Sequence, residues 1–240
     1  MNEYKKHPNE KDCNSVHWGY KSDTGPDNWK NLCPDFADCG GKAQSPVNIS
    51  TKETLKSENL QAIHLNYGKT KVNIVNNGHS VQFNVDAGNT ANLNGKTYTL
   101  LQFHYHSPSE HTIDGKYFPL EVHFVHRRSD KDFAVIGVMF VEGKENPLFK
   151  AYLDKFPETP GEFQTDNNID LSDLLPENKS YYFYKGSLTT PPCSEIVNWH
   201  VLTTPLEASK EQMEKFSKIL NYNNRPVMPL NGRKIKKFDQ

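Results

Sequence analysis

Residues 97–127 read TYTLLQFHYH SPSEHTIDGKY FPLEVHFVHR, and this stretch decides the fold. Thr97–His106 and Phe118–Arg127 are rich in aromatic and β-branched residues and flank a connection that contains Asp114-Gly115. Two such runs joined through an Asp-Gly turn read as neighbouring antiparallel strands. Side chains two apart on a strand share a face. His104 and His106 therefore share a face of the first strand, and the second strand offers His123. Three neutral imidazoles with an open fourth position form the donor set of a catalytic zinc, whereas a structural zinc site is closed. One histidine alone is more often a hydrogen-bonded core residue than a ligand. The His-x-His pair with a third histidine on the next strand is what points to a metal. Gln102 shares a face with His104, and Glu121 shares one with His123, so both are placed to anchor the second ring nitrogen of a ligand. His126 is odd-spaced from His123 and points away from it. His126 and His111 are expected to be buried, hydrogen-bonded structural residues, and His64 and His200 carry no signal.

Outward from this pair, Ala62–Tyr67, Lys71–Val75, His79–Val85, Phe133–Val141 and Glu195–Leu202 also read as short strands. The turn formers Asn76-Asn77-Gly78 and Asn94-Gly95 punctuate them. Short strands at this spacing predict a large antiparallel sheet. Leu148, Phe149, Tyr152, Leu153 and Phe156 predict one helix. Met213, Phe216 and Leu220 predict another, which opens on Ser209 and Gln212 as a capping box. There is no internal repeat and no linker, so one domain is expected. Residues 1–12 read as a mobile polar tail ahead of a domain spanning 13–240.

The 240 residues carry 28 Lys plus Arg and 29 Asp plus Glu, a net charge of −1. No basic excess is available to neutralise phosphates, which argues against nucleic-acid binding. No stretch approaches the ~20 apolar residues of a membrane-spanning helix. Cys13, Cys33, Cys39 and Cys193 include no CxxC pair, which suits two disulfides in an exported protein better than a zinc site. Three connectivities are open, as is pairing within one chain or between the copies of a homodimer. Residues 1–11 hold no signal-peptide core, so either the protein is cytosolic or its numbering starts near a mature or engineered end.

The residues now in hand resemble the α-class carbonic anhydrases from His17 onward. The resemblance is carried by His17-Trp18-Gly19-Tyr20, Gln44-Ser45-Pro46-Val47-Asn48-Ile49, Asn76-Asn77-Gly78-His79, Gln102-Phe103-His104-Tyr105-His106, Ser109-Glu110-His111-Thr112, Glu121-Val122-His123, Gly186-Ser187-Leu188-Thr189-Thr190-Pro191-Pro192 and Asn224-Arg225-Pro226. It implies a mainly β (α+β) domain: a twisted, mostly antiparallel ten-stranded sheet with a few short peripheral helices and a cavity ending at zinc. It implies reversible hydration of carbon dioxide to bicarbonate by zinc-bound hydroxide, with secondary esterase capacity and with sulfonamides and anions as inhibitors. His104, His106 and His123 would bind the metal. Gln102, Glu121 and the backbone near Asn223 would anchor them. Thr189 would orient the nucleophile and donate to Glu110. Thr190, Val125, Val135, Leu188, Val197 and Trp199 would line the substrate pocket. His79 would shuttle protons over water held by Tyr20, Asn77 and Gln82, although Gln82 replaces an Asn often found there. The expected pairs are Cys39–Cys193 and Cys13–Cys33; the first looks like the exported bacterial branch, which implies a periplasmic or secreted location.

Two other readings compete with this one. A cupin-type metal protein would use Glu110 as a direct ligand, but Tyr98 stands where that pattern needs Gly, and no second cupin motif follows. A non-catalytic binding module of the same fold usually lacks a ligand histidine, and all three are here.

Overall fold

The computed structural model describes residues 12–78, 80–157 and 159–240. Ten strands make the continuous path of one large sheet. In chain order they are β1 (Leu55–Lys56), β2 (Lys69–Asn76), β3 (Val81–Asn84), β4 (Lys96–His106), β5 (Leu120–Ser129), β6 (Asp132–Glu142), β7 (Gly161–Asp170), β8 (Tyr181–Gly186), β9 (Val197–Leu202) and β10 (Lys236–Phe238). Their spatial order is β7-β2-β3-β4-β5-β6-β9-β8-β10-β1. Pairing along this path is antiparallel except at two seams, β6 with β9 and β10 with β1. His64–Asn66, Thr90–Leu93 and Leu206–Ala208 attach as short extra strands, giving a 13-stranded sheet. Asn48–Ile49 and Thr112–Ile113 form a separate parallel pair.

The turns follow local backbone chemistry. Asn94 and Gly95 both take positive φ, at 50° and 77°, and close the hairpin from Thr90–Leu93 into β4. That is the geometry an Asn-Gly pair favours. Asp114 and Gly115 also take positive φ, at 49° and 77°, in a tight turn that pairs Ile113 with Lys116 within the connection from β4 to β5.

Strand alternation divides the interior in two. Phe103 and Tyr105 of β4, Val122 and Phe124 of β5, and Ile136 and Val138 of β6 pack on one face with Phe83, Phe149, Tyr152 and Phe216. The alternate residues, Val125 of β5 and Val135 and Met139 of β6, pack on the other face with Val197 and Trp199. His104, His106 and His123 share this second face. A third cluster gathers Trp29, Phe36 and all four cysteines. Cys39 is bridged to Cys193, and Cys13 to Cys33, within one chain.

Helix α1 is the four-residue Trp29–Leu32, and α2 is Lys210–Leu220. Ser209 and Gln212 form a reciprocal capping box at the start of α2. The helix expected over Leu148–Phe156 is corrected: the chain forms two 3-10 segments there, Pro147–Ala151 and Leu153–Lys155. Tyr152 between them takes φ −144°, outside the helical range, which stops an α-helix from continuing. The apolar stripe still buries Phe149, Tyr152, Leu153 and Phe156. Strand limits also shift. His64–Asn66 is shorter than the expected Ala62–Tyr67, and the expected Glu195–Leu202 begins at Val197 because Ser194 and Glu195 still belong to the preceding turn. The tail expected over 1–12 falls almost wholly outside the described residues, as does His79.

Candidate active site

Register sets the centre of the site. On β4 and β5, His104 lies directly opposite His123, and His106 opposite Glu121. On β6, Gly137 lies opposite His123. The ring centroids of the three histidines are 4.6–5.3 Å apart. One ring nitrogen from each lies within 4.8 Å of the others.

The remaining ring nitrogens are tied to groups that can only accept. His104 Nδ1 donates to Gln102 Oε1 at 2.8 Å, His106 Nδ1 to Asn223 O at 2.7 Å, and His123 Nε2 to Glu121 Oε1 at 2.8 Å. Each bond fixes the tautomer and leaves His104 Nε2, His106 Nε2 and His123 Nδ1 with free lone pairs. His106 Nε2 is buried and has no hydrogen-bond partner among the described residues. Burial holds all three imidazoles below the usual histidine range, His106 at about 4, so they are neutral at pH 7.

Two buried carboxylates stand beside them. Glu121 accepts four hydrogen bonds: Oε2 from the N–H groups of Glu110 and His111, Oε1 from His111 Nδ1 and His123 Nε2. Burial pushes its pKa up, but the two imidazoles and these bonds outweigh burial and hold it well below the usual carboxylate range. His111, Glu121 and His123 also form a close trio of donors, yet Glu121 Oε1 already bridges the two rings, so this trio is a hydrogen-bonded anchor. Glu110 differs. Its Oε1 accepts from Arg225 N at 2.9 Å. Its Oε2 lies 3.5 Å from His106 Nε2 and 3.8 Å from His123 Nδ1. Burial pushes Glu110 up to about 7, against the pull of His123, the Arg225 N–H and the Thr189 hydroxyl.

The other expected residues take these places. Val125, Val135, Val197 and Trp199 are buried together, with Leu188 packed against them. The Trp199 ring meets the rings of His111 and His123 at 4.7 and 4.8 Å. Trp199 Nε1 donates to Ser187 O and steadies the loop that carries Thr189 and Thr190. Thr190 O accepts from Cys193 N, so the Cys39–Cys193 bridge lies one turn from that loop. Tyr20 has a buried hydroxyl with no hydrogen-bond partner among the described residues. Its pKa is raised first by burial and then by the nearby charge of Glu110. Asn77 Oδ1 accepts from Ser80 N at 2.8 Å. Gln82 lies opposite His104 in register, and its amide donates to Asn84.

Sequence reasoning gave no role to two further residues, Tyr184 and Arg225. Tyr184 OH lies 2.7 Å from His111 Nε2 and 3.0 Å from Ser45 Oγ, extending the Glu121 anchor toward Ser187, whose N–H donates to Ser45 Oγ. Arg225 is fully buried, bonded to Gln44, Ser45 O and Cys39 O, with its guanidinium over Trp29. Periodicity carries no signal for a buried arginine or a long-range tyrosine contact. Only Arg225 falls within a quoted motif, Asn224-Arg225-Pro226.

This fold has counterparts among known proteins. The family model for eukaryotic-type carbonic anhydrases matches residues 24–239. A carbonic anhydrase of Pectobacterium carotovorum is 45% identical over 224 residues, 92% of this chain and 91% of that protein. One of Neisseria gonorrhoeae is 45% identical over 225 residues, 92% of this chain and 88% of its own. The α-carbonic anhydrase of Thermovibrio ammonificans, solved with the inhibitor sulfanilamide, superposes with a TM-score of 0.89 at 44% identity, covering 92% of this chain and 99% of that one. The chain belongs to the eukaryotic-type, or α-class, carbonic anhydrase family. It is an enzyme of that family, whose reaction is the hydration of carbon dioxide.

Proposed function

We propose that this chain hydrates carbon dioxide reversibly to bicarbonate with zinc held by His104, His106 and His123. The observation that carries this reading is the set of three neutral imidazoles, each with one nitrogen pinned by an acceptor and the other directed at a shared point. The residues fit zinc: the donor set is all imidazole, and the buried, unpartnered His106 Nε2 needs an electrophile. Glu110 is already engaged by the Arg225 N–H and the Thr189 hydroxyl, which disfavours its use as the direct ligand of a cupin-type site. When bound, zinc supplies the Lewis acidity that makes water a nucleophile near neutral pH, a property for which carbonic anhydrases are the reference case.

The remaining work belongs to the protein. Gln102, Asn223 and Glu121 fix the orientation and tautomer of the three ligands. Thr189 donates its only proton to Glu110, so its oxygen can only accept; it selects a nucleophile that still carries a hydrogen and aims that nucleophile's lone pair. Val125, Val135, Leu188, Val197 and Trp199 offer an apolar wall suited to a small uncharged substrate, with Thr190 at its polar edge. His79 relays the released proton to buffer, since an ordinary histidine pKa near 6.5 suits that transfer. Tyr20, Asn77 and Gln82 line the route. The two disulfides support a periplasmic or secreted location.

Stopped-flow hydration of carbon dioxide, with and without a sulfonamide, tests the reading. Fast hydration that a sulfonamide abolishes supports it. A folded, zinc-loaded protein without hydration overturns it.

A further inference from the structure

We propose that Gly137 is a positioning residue: the absence of a side chain there fixes the seat of the Glu121 carboxylate and, through it, the aim of His123. The inference rests on the zinc reading above.

Gly137 sits mid-strand in β6, directly opposite His123. It is not among the glycines with positive φ, so any residue suits its backbone, and what glycine supplies is space. A Cβ at this point would stand 2.9 Å from Glu121 Oε1, and 3.7 Å from both His123 Cδ2 and Val201 Cγ2. The last two are ordinary contacts. The first is well inside van der Waals separation, so something must move.

At most positions the end of a glutamate simply swings aside. Gly143, just past the same strand, shows that case: a Cβ there would meet Glu207 at 2.6 Å, but Glu207 is exposed and can turn into solvent. Glu121 has no such freedom. It is fully buried and accepts four hydrogen bonds, so both oxygens are held from opposite sides. The atom that must give way, Oε1, is the one that receives both His111 Nδ1 and His123 Nε2. Moving it lengthens both bonds at once and turns the His123 ring away from the point it shares with His104 and His106. Loss of such anchoring contacts commonly costs 10–100-fold in metal affinity. Gly137 thus acts on the metal site without touching the metal.

The test is zinc dissociation from holoprotein into excess chelator. Gly137→Ala should release zinc about tenfold faster than wild type, and in its apo form the N–H resonances of His111 and His123 should shift. Ile136→Ala is the control for lost stability alone: its side chain is fully buried on the opposite face of β6, in the other core. It should lower the melting temperature while leaving the zinc release rate unchanged. Glu121→Asp shortens the crowded side chain, so its effect should be smaller in the Gly137→Ala background than in wild type. Folded Gly137→Ala that holds zinc as long as wild type overturns the proposal. So does equal zinc loss from Ile136→Ala at equal melting temperature, or strict additivity of the Gly137 and Glu121 changes. If Gly137→Ala does not fold, Gly137→Ala combined with Glu121→Asp should fold and bind zinc better than Gly137→Ala alone, and failure to improve is a negative result. A wild-type protein that binds no zinc would instead defeat the zinc reading, a separate outcome.

Discussion

Removing the Cys39–Cys193 bridge, as Cys39→Ala with Cys193→Ala, should be the largest stability change available without touching the site. The bridge closes 154 residues of sequence, whereas Cys13–Cys33 closes 20. In the chain-entropy model these loops correspond to about 5 and about 3 kcal/mol. For a protein of this size each kcal/mol moves the melting temperature by roughly 2–4 °C, so the long bridge predicts a drop of roughly 10–20 °C. Measured effects commonly fall short of that model, so the figure is a ceiling. Cys193 is fully buried beside Trp29 and Phe36, while Cys13 is only half-buried. A mild reductant should therefore open Cys13–Cys33 first. Differential scanning calorimetry of the two double-alanine variants, alongside thiol titration of the wild type, measures this. A long-bridge variant melting within about 2 °C of wild type refutes the reasoning. Both bridges bear on one aromatic cluster, so their effects should not add fully.

His104→Ala should abolish zinc retention and carbon dioxide hydration together, read by metal analysis and stopped flow; an active metal-free variant would remove His104 from the ligand set. His79→Ala should lower kcat with little change in kcat/KM, and added imidazole buffer should restore part of it. Acid should destabilise the fold through His126 and His200, which burial holds at about 4 and about 3. The unfolded chain takes up these protons near pH 6.5 and the native one refuses them, so stability is full above that value and falls as pH drops toward 4 and 3. At pH 5 the loss should approach about 2 kcal/mol per histidine. Urea unfolding of His200→Asn should show a shallower dependence between pH 7.5 and 5, and an unchanged slope would exclude His200 as a source.

The centre of the site was legible in the sequence because β4 and β5 are local neighbours with strict alternation. Gln102, His104 and His106 fall on one face by counting twos, and the same counting puts Glu121 beside His123. Legibility faded where alternation did. β7 is a polar edge strand and β8 a run of aromatic residues, Tyr181 to Tyr184, and neither shows a period of two. The Leu148–Phe156 stripe satisfies both a 3-10 and an α-helical spacing, so its apolar pattern could not choose between them. The Tyr184–His111 contact joins residues 73 apart, and no local rule reaches that far. Gly137 is invisible for another reason: its role lies in what it does not contain.

The parallel seam between β6 and β9 has a consequence for how the chain reaches this state. Its partners are centred near residues 135 and 199, with β7 and β8 intervening. The three histidines can pair as soon as β4 and β5 exist, but Trp199, Thr189 and Asn223 arrive only with the last quarter of the chain. Contacts of such sequence separation are slow to form. Until β9 docks, the exposed apolar flank of β6 is open to association with other chains, so crowding and delay during folding should endanger this protein more than mutation of its finished surface.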